Sequence, residues 1–298
     1  SCRYFGTCGG CQYQMIPYEH QLELKQRVVR NAFMNYSKLD ENLLPEVLPT
    51  MGSPATMGYR TKLTPHFDLP LAVRKGRSNE EIPPVAIGFD SVATGRVMDI
   101  EVRLILTRNV RLVLPQLTLH FQKSVHLSAS VSRRSRMVQH SCCAIRCATL
   151  NRTRRWSALT KREKGKEKVG HTKFASPAGA FFQNNRSIIP YVIEYIESQD
   201  LFSSEEPQYL VDTYCGSGLF ALTLASRFHE VAGVEISAAS IDCAKKNAEL
   251  NGISNAKFLA GSAENIFANI SYPSKNTTVV IDPPRRGCDD EFIKQLLA

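Results

Sequence analysis

The stretch Leu210-Val211-Asp212-Thr213-Tyr214-Cys215-Gly216-Ser217-Gly218-Leu219-Phe220-Ala221 constrains the fold of this chain more than any other. An apolar run that meets a glycine turn and passes straight into a helix start opens a β-α unit, and small residues are needed where the backbone turns tightly or a ligand approaches it closely. From Ser176 onward the surroundings agree. Ile188 to Ile196 reads as a helix with Ile189, Val192, Ile193 and Ile196 in register, and Tyr209 to Thr213, Val231 to Glu235, Lys257 to Ala260 and Thr278 to Ile281 read as strands. Helices are expected at Leu219 to Arg227 and at Ala238 to Leu250, the second stopped by Asn251-Gly252. Strands alternating with helices predict an α/β fold with a parallel, doubly wound sheet.

Within that fold Glu235 ends the strand after the glycine turn, nineteen residues beyond Gly216, where an acid can accept hydrogen bonds from ribose hydroxyls. A nucleoside cofactor is the reading this favours; an ordinary tight turn of an α/β fold is the alternative. Because Gly216-x-Gly218-x-x-Ala221 also satisfies the dinucleotide fingerprint, the loop alone does not separate a nicotinamide dehydrogenase from a methyltransferase. A second motif favours methyl transfer: Val279-Val280-Ile281-Asp282-Pro283-Pro284-Arg285-Arg286-Gly287. Two consecutive prolines cannot continue a central strand, so the chain leaves the sheet there with Asp282 held at its edge, beside a rigid turn against which a planar target could lie.

The first hundred residues have a different texture. Pro17 to Tyr36 reads as a helix with Leu22, Val28, Val29, Ala32 and Phe33 on one apolar side, and Thr61 to Phe67, Val85 to Phe89 and Ala93 to Ile100 read as short strands between turns. A small α+β domain over residues 1–101 is expected. The nine cysteines are uneven, with Cys2, Cys8 and Cys11 close together at the start, which favours thiols kept for metal, cofactor or packing over a disulfide scaffold.

The formal charge of +9 sits in one segment. Val102 to Arg162 holds thirteen Lys and Arg and no Asp or Glu, while the rest of the chain holds 24 basic against 28 acidic residues. For residues 102–168 three readings stay open: a basic RNA-binding insertion, a disordered linker, and a stretch read in a shifted frame. No run of 18 apolar residues occurs and the first residues lack a signal-peptide layout, so a soluble intracellular protein without a membrane partner is expected, its compartment and oligomeric state open. The start at Ser1 and the stop at Ala298 inside an amphipathic stretch give the expectation of a piece of a longer protein.

Taken in order, Cys2-x5-Cys8-Gly-Gly-Cys11-Gln12, Phe181-Phe182-Gln183-Asn184-Asn185, Asp212-Thr-Tyr214-Cys-Gly216-Ser-Gly218 and Asp282-Pro-Pro-Arg285-Arg-Gly287 resemble the RNA uracil-C5 methyltransferases, with the fungal and other eukaryotic tRNA branch the most similar. The likeness covers Cys2 to Ile100 and Val169 to Ala298; it is lost abruptly at Val102, which favours the shifted frame. It implies a Rossmann-like S-adenosylmethionine-dependent methyltransferase domain over residues 169–298, C-terminally truncated, and RNA, in that branch tRNA, as partner. It implies that Gln183, Tyr214, Glu235 and Asp282 contact S-adenosylmethionine. Leu219 departs from the family, where Asn can stand. Cys2, Cys8 and Cys11 match the start of a four-cysteine 4Fe-4S site, although Val102-Arg103-Leu104 stands where the fourth cysteine is expected.

The resemblance also implies a cysteine thiolate that adds to carbon 6 of uracil and a Glu base that removes the proton from carbon 5, both expected beyond the end of this chain. Cys215, Cys243 and Cys288 have structural readings instead: a small filler in the turn, a mid-helix residue, and a helix start. Tyr59-Arg60-Thr61-Lys62 and Arg285-Arg286 are candidates for RNA phosphates, or a solvated basic surface. Two rivals remain: a methyltransferase of exocyclic amines, which needs no cysteine nucleophile, and a non-catalytic RNA-binding module on the same fold.

Overall fold

A computed structural model describes residues 2–60, 86–100, 164–177, 181–199, 206–261 and 270–297, together with Lys62–Leu63, His66–Phe67, Ile145–Arg146 and Phe267. The chain divides into two compact units, Ser1–Cys143 and Ala144–Ala298. The basic stretch up to Arg162 lies, but for Ile145–Arg146, outside the described residues.

In the first unit, helix α1 spans Tyr18–Tyr36 with Pro17 at its N-cap, where the missing N–H costs nothing. It is tied down by polar contacts: the Tyr18 hydroxyl accepts from the Ser53 N–H at 2.7 Å and Gln26 Nε2 donates to the Val47 carbonyl at 2.7 Å. The helix is found where the sequence places it, but its apolar side is largely exposed. No residue of α1 is buried, and Val28 and Val29 are 67% and 47% exposed. Of the residues on that side Leu22 is half-buried, lying against Gly52, while Val28, Val29, Ala32 and Phe33 stay exposed. Strands β1 (His66–Phe67), β2 (Ile87–Asp90) and β3 (Val97–Asp99) form an antiparallel sheet. The cysteine-bearing loop is stitched to it, with Gly9 N–H on the Asp90 carbonyl and Val92 N–H on that of Thr7, both at 2.9 Å.

In the second unit β4 (Lys164–Val169) and β5 (Thr172–Pro177) form an antiparallel hairpin. There follow α2 (Ile189–Glu197), β6 (Tyr209–Asp212), α3 (Leu219–Thr223), β7 (Glu230–Glu235), α4 (Ala238–Asn251), β8 (Ala256–Ala260), β9 (Thr277–Val280) and α5 (Asp290–Leu297). Each predicted strand and helix is present within a residue or so, except that the helix from Leu219 ends at Thr223 and continues as a 3-10 turn at Ala225–Arg227. The Thr223 hydroxyl donates back to the Leu219 carbonyl at 2.7 Å, a bond that competes with further helical pairing.

The four central strands are all parallel, in the order β8-β7-β6-β9. Leu210, Val211 and Val231 are fully buried because helices cover both faces, which is why these strands read as continuous apolar runs. Leu222, Leu224, Phe228, Ala244 and Phe258 fill the layers around them. Gly233 in β7 is required by crowding: a Cβ there would stand 2.6 Å from the Phe258 ring and 3.0 Å from Cys215 Sγ. Among the described residues no helix is long and apolar enough to cross a membrane.

Candidate functional site

From β6 the chain builds outward through β7 to β8, then returns to place β9 on the other side of β6. The loops that leave the carboxyl ends of β6 and β9 therefore diverge, opening a crevice where open α/β sheets bind ligands. A cavity of ≈ 1630 Å³ lies there, and Gln183, Tyr214, Glu235 and Asp282 all line it.

The glycine turn after β6 is shaped by two left-handed residues, Gly216 (φ 54°) and Gly218 (φ 88°), which only glycine adopts without strain. It is moored on three sides. Cys215 N–H donates to the Val234 carbonyl at 3.0 Å, Thr213 N–H to the Val280 carbonyl at 3.1 Å, and Gly216 N–H to Glu235 Oε2 at 3.2 Å. The other carboxylate oxygen of Glu235 accepts from Ser237 N–H at 3.0 Å. Two backbone donors thus hold this carboxylate at the cavity wall while lone pairs remain for hydroxyl groups of a ligand.

On the facing wall, β9 ends at Val280 and Pro283-Pro284 carry the chain out of the sheet. Asp282 Oδ2 there accepts from Gln183 Nε2 at 3.1 Å, joining two expected site residues that are 99 positions apart. Tyr214 packs its ring against Phe292 of α5, with centroids 5.7 Å apart, and its hydroxyl is pushed up to about 12 by burial, by a hydrogen bond with the Cys288 thiol and by the neighbouring acid Asp289, so it stays protonated at neutral pH. Cys288, Arg285 and Arg286 also border the cavity.

Asp212, which has no role of its own in the motif as read from sequence, acquires one in the structure. It is fully buried behind the turn and accepts from Ala221 N–H at the start of α3, 3.0 Å away. Burial pushes its carboxyl from the usual 3.8 up to about 7, opposed by the Ala221 N–H and reinforced by the charges of Asp282 and Glu235. A carboxyl whose native value lies above its unfolded value contributes stability that is complete below the unfolded value and lost as pH rises through the native one. Asp212→Asn keeps the acceptor and removes the titration. Measured by urea midpoints, the variant should gain on the natural chain as pH rises from 3.8 to about 7 and hold a constant difference above. A difference that is flat across that window would remove Asp212 as the titrating group.

Of the cysteines, Cys215 is buried and packs closely against Gly233, and burial with the nearby Asp212 and Glu235 drives its thiol far up. Cys243 is buried on α4. Cys2, Cys8 and Cys11, expected as metal ligands, do not form a ligand set. Among the described residues no three His, Cys, Asp or Glu side chains gather around a common point, and Cys8 Sγ instead accepts from Gly10 N–H at 3.3 Å. The position expected for the fourth cysteine lies outside the described residues. Among the described residues, Cys2, Cys8 and Cys11 do not by themselves make up the ligand set of an iron–sulfur cluster. Of the candidate phosphate contacts, Tyr59 and Arg60 are half-buried in the first unit, and Thr61 lies outside the described residues.

Residues 162–297 match the family model described as tRNA (Uracil-5-)-methyltransferase. The chain is 43% identical over 301 residues to the tRNA (uracil(54)-C(5))-methyltransferase of Schizosaccharomyces pombe, an alignment covering 99% of this chain and 54% of that protein. It is 33% identical over 339 residues to the protein of the same name from Saccharomyces cerevisiae, covering 99% and 53%. The chain thus spans about half the length of the curated relatives it matches. Among solved structures it resembles the Pyrococcus abyssi tRNA (uracil-54, C5)-methyltransferase in complex with S-adenosyl-L-homocysteine, with a TM-score of 0.64 at 19% identity over 99% of this chain and 74% of that one. At that identity the likeness supports the α/β fold.

Proposed function

The chain belongs to the tRNA (uracil-5-)-methyltransferase family, and from that premise we propose that it carries the S-adenosylmethionine site of an enzyme that methylates carbon 5 of uridine in RNA, with tRNA as the substrate. The observation that carries the reading is the convergence of Gln183, Tyr214, Glu235 and Asp282, from four separate segments, on one cavity at the switch point of the sheet.

These residues fit the cofactor. The moored carboxylate of Glu235 suits ribose hydroxyls, and the glycine turn leaves room for close approach of the ligand to the backbone. The carboxylates of Glu235 and Asp282 give this region a negative field, which favours a cation. When bound, S-adenosylmethionine supplies an electrophilic methyl group on a sulfonium. Asp282, oriented by Gln183, and the rigid Pro283-Pro284 turn form the wall against which a planar base can lie. The exposed Arg285 and Arg286 stand beside it with the charge needed for RNA phosphates. Tyr214 keeps a neutral hydroxyl at the wall. No residue of this chain is assigned as the nucleophile or base, and no iron–sulfur chemistry enters the reading.

Isothermal titration of the 298-residue chain tests the assignment. S-adenosyl-L-methionine and S-adenosyl-L-homocysteine should both bind at one site, and NAD should not compete. Binding of NAD in their place would turn the glycine motif back into a dinucleotide site.

A further inference from the structure

We infer that Asn247 is a positioning residue that fastens the two walls of the cofactor cavity to each other, an inference that rests on the cofactor reading above. Asn247 sits in the interior of α4, between Ala244 and Ala248, and is 0% exposed. Asparagine is a poor choice for a helix interior, and a buried amide is costly unless its polar atoms are bonded. Both ends of this one are. Its Nδ2 donates to the Ser217 carbonyl at 3.0 Å, inside the glycine turn, and its Oδ1 accepts from the Ala175 N–H on β5 at 2.8 Å.

One helical turn on, Asn251 repeats the contact with the same strand. Its Oδ1 accepts from the Lys173 N–H at 2.8 Å and its Nδ2 donates to the Lys173 carbonyl at 2.7 Å. Residues four apart on a helix share a face, and residues two apart on a strand point their backbone groups to the same side. Two asparagines on α4 thus pair with the edge of β5 that β4 leaves open. Asn247 alone also reaches the turn.

The strand held in this way leads to the opposite wall. Phe174, between the two anchored residues, is buried and packs on Phe182 with ring centroids 5.6 Å apart. Phe182 precedes Gln183, which donates to Asp282 across the cavity. A continuous set of contacts therefore runs from Ser217 through Asn247, Ala175, Phe174 and Phe182 to Gln183. An apolar residue at 247 would fill the space but leave the Ser217 carbonyl and the Ala175 N–H without these partners. The placement of Gln183 and that of the glycine turn would then be set independently.

Spatial continuity alone does not establish coupling, so the test is a double-mutant cycle on cofactor affinity in the full chain. Gln183→Ala should weaken S-adenosyl-L-homocysteine about fivefold or more in the natural background, within the usual range of coupled sites, and less than about twofold in Asn247→Leu, where Gln183 has already lost its placement. Equal effects in both backgrounds would leave Asn247 a mere core residue and overturn the inference. A second measurement needs no substitution. Saturating S-adenosyl-L-homocysteine should slow amide hydrogen exchange at Lys173 and Ala175, which lie outside the cavity lining, by about fivefold or more. Unchanged exchange at these two amides, with the ligand bound, would also overturn it. Failure of the natural chain to bind the ligand at all would instead defeat the cofactor reading, and the inference with it.

Discussion

Glu235→Ala is expected to weaken binding of S-adenosyl-L-homocysteine by about 10- to 150-fold, the range that hydrogen bonds to a charged group supply. The carboxylate is fixed before any ligand arrives, because Gly216 N–H and Ser237 N–H hold its two oxygens at 3.2 and 3.0 Å. No ordering cost is therefore left for the moment of binding, and two ribose hydroxyls meet an acceptor already in place. Removal of the side chain deletes that acceptor and also releases Gly216 from its mooring. Glu235→Gln separates the two contributions: one amide oxygen can still hold a backbone N–H, so an intermediate loss is expected. Calorimetry reads both variants. Affinity unchanged in Glu235→Ala would mean that the ligand lies elsewhere in the cavity and that the spacing from Gly216 to Glu235 is incidental.

Glu235 was legible in the sequence because its position follows from local rules. A buried parallel strand must be apolar along its length, a turn that closes on itself needs left-handed glycines, and the next strand must bring its end to the same edge. Gly252 ended α4 for the same kind of reason, with φ 65° at the C-cap. Asp212 was visible as a letter in the motif, yet its role depends on the absence of solvent around it and on Asp282 and Glu235 arriving from other strands. Asn247 left no local signal, since it reads as an ordinary polar residue of a helix until β5 and the turn are placed on either side. The strand Lys164–Val169 was hidden differently. Its Lys-Gly-Lys-Glu-Lys run reads as a solvated charge cluster, and only the pairing with Thr172–Pro177 makes it a hairpin. The apolar side of α1 is the converse case: the pattern marks the helix correctly, while the side itself stays largely exposed.

The 298-residue chain, assayed as it stands with S-adenosylmethionine and tRNA carrying 5-tritiated uridine, is expected to release no tritium above background while still binding the cofactor. Addition to carbon 6 needs a thiolate, and a thiol held protonated by its surroundings cannot supply one. Cys215 is buried under the turn with its thiol driven far up by desolvation and by Asp212 and Glu235. Cys243 borders the cavity, but it is 7% exposed in the middle of α4 and does not end a strand. Cys288 borders the cavity but is engaged with the Tyr214 hydroxyl, two residues before α5 begins at Asp290. Loss of a covalent nucleophile typically removes about 10⁴- to 10⁶-fold of turnover, far below what such an assay detects, whereas cofactor binding draws on other residues and survives. The paired measurement therefore distinguishes an intact binding site from an intact reaction centre. Tritium release that disappears in Cys288→Ala would put the nucleophile at the cavity rim after all, and the hydrogen bond to Tyr214 would then have to be reread as the contact that orients it.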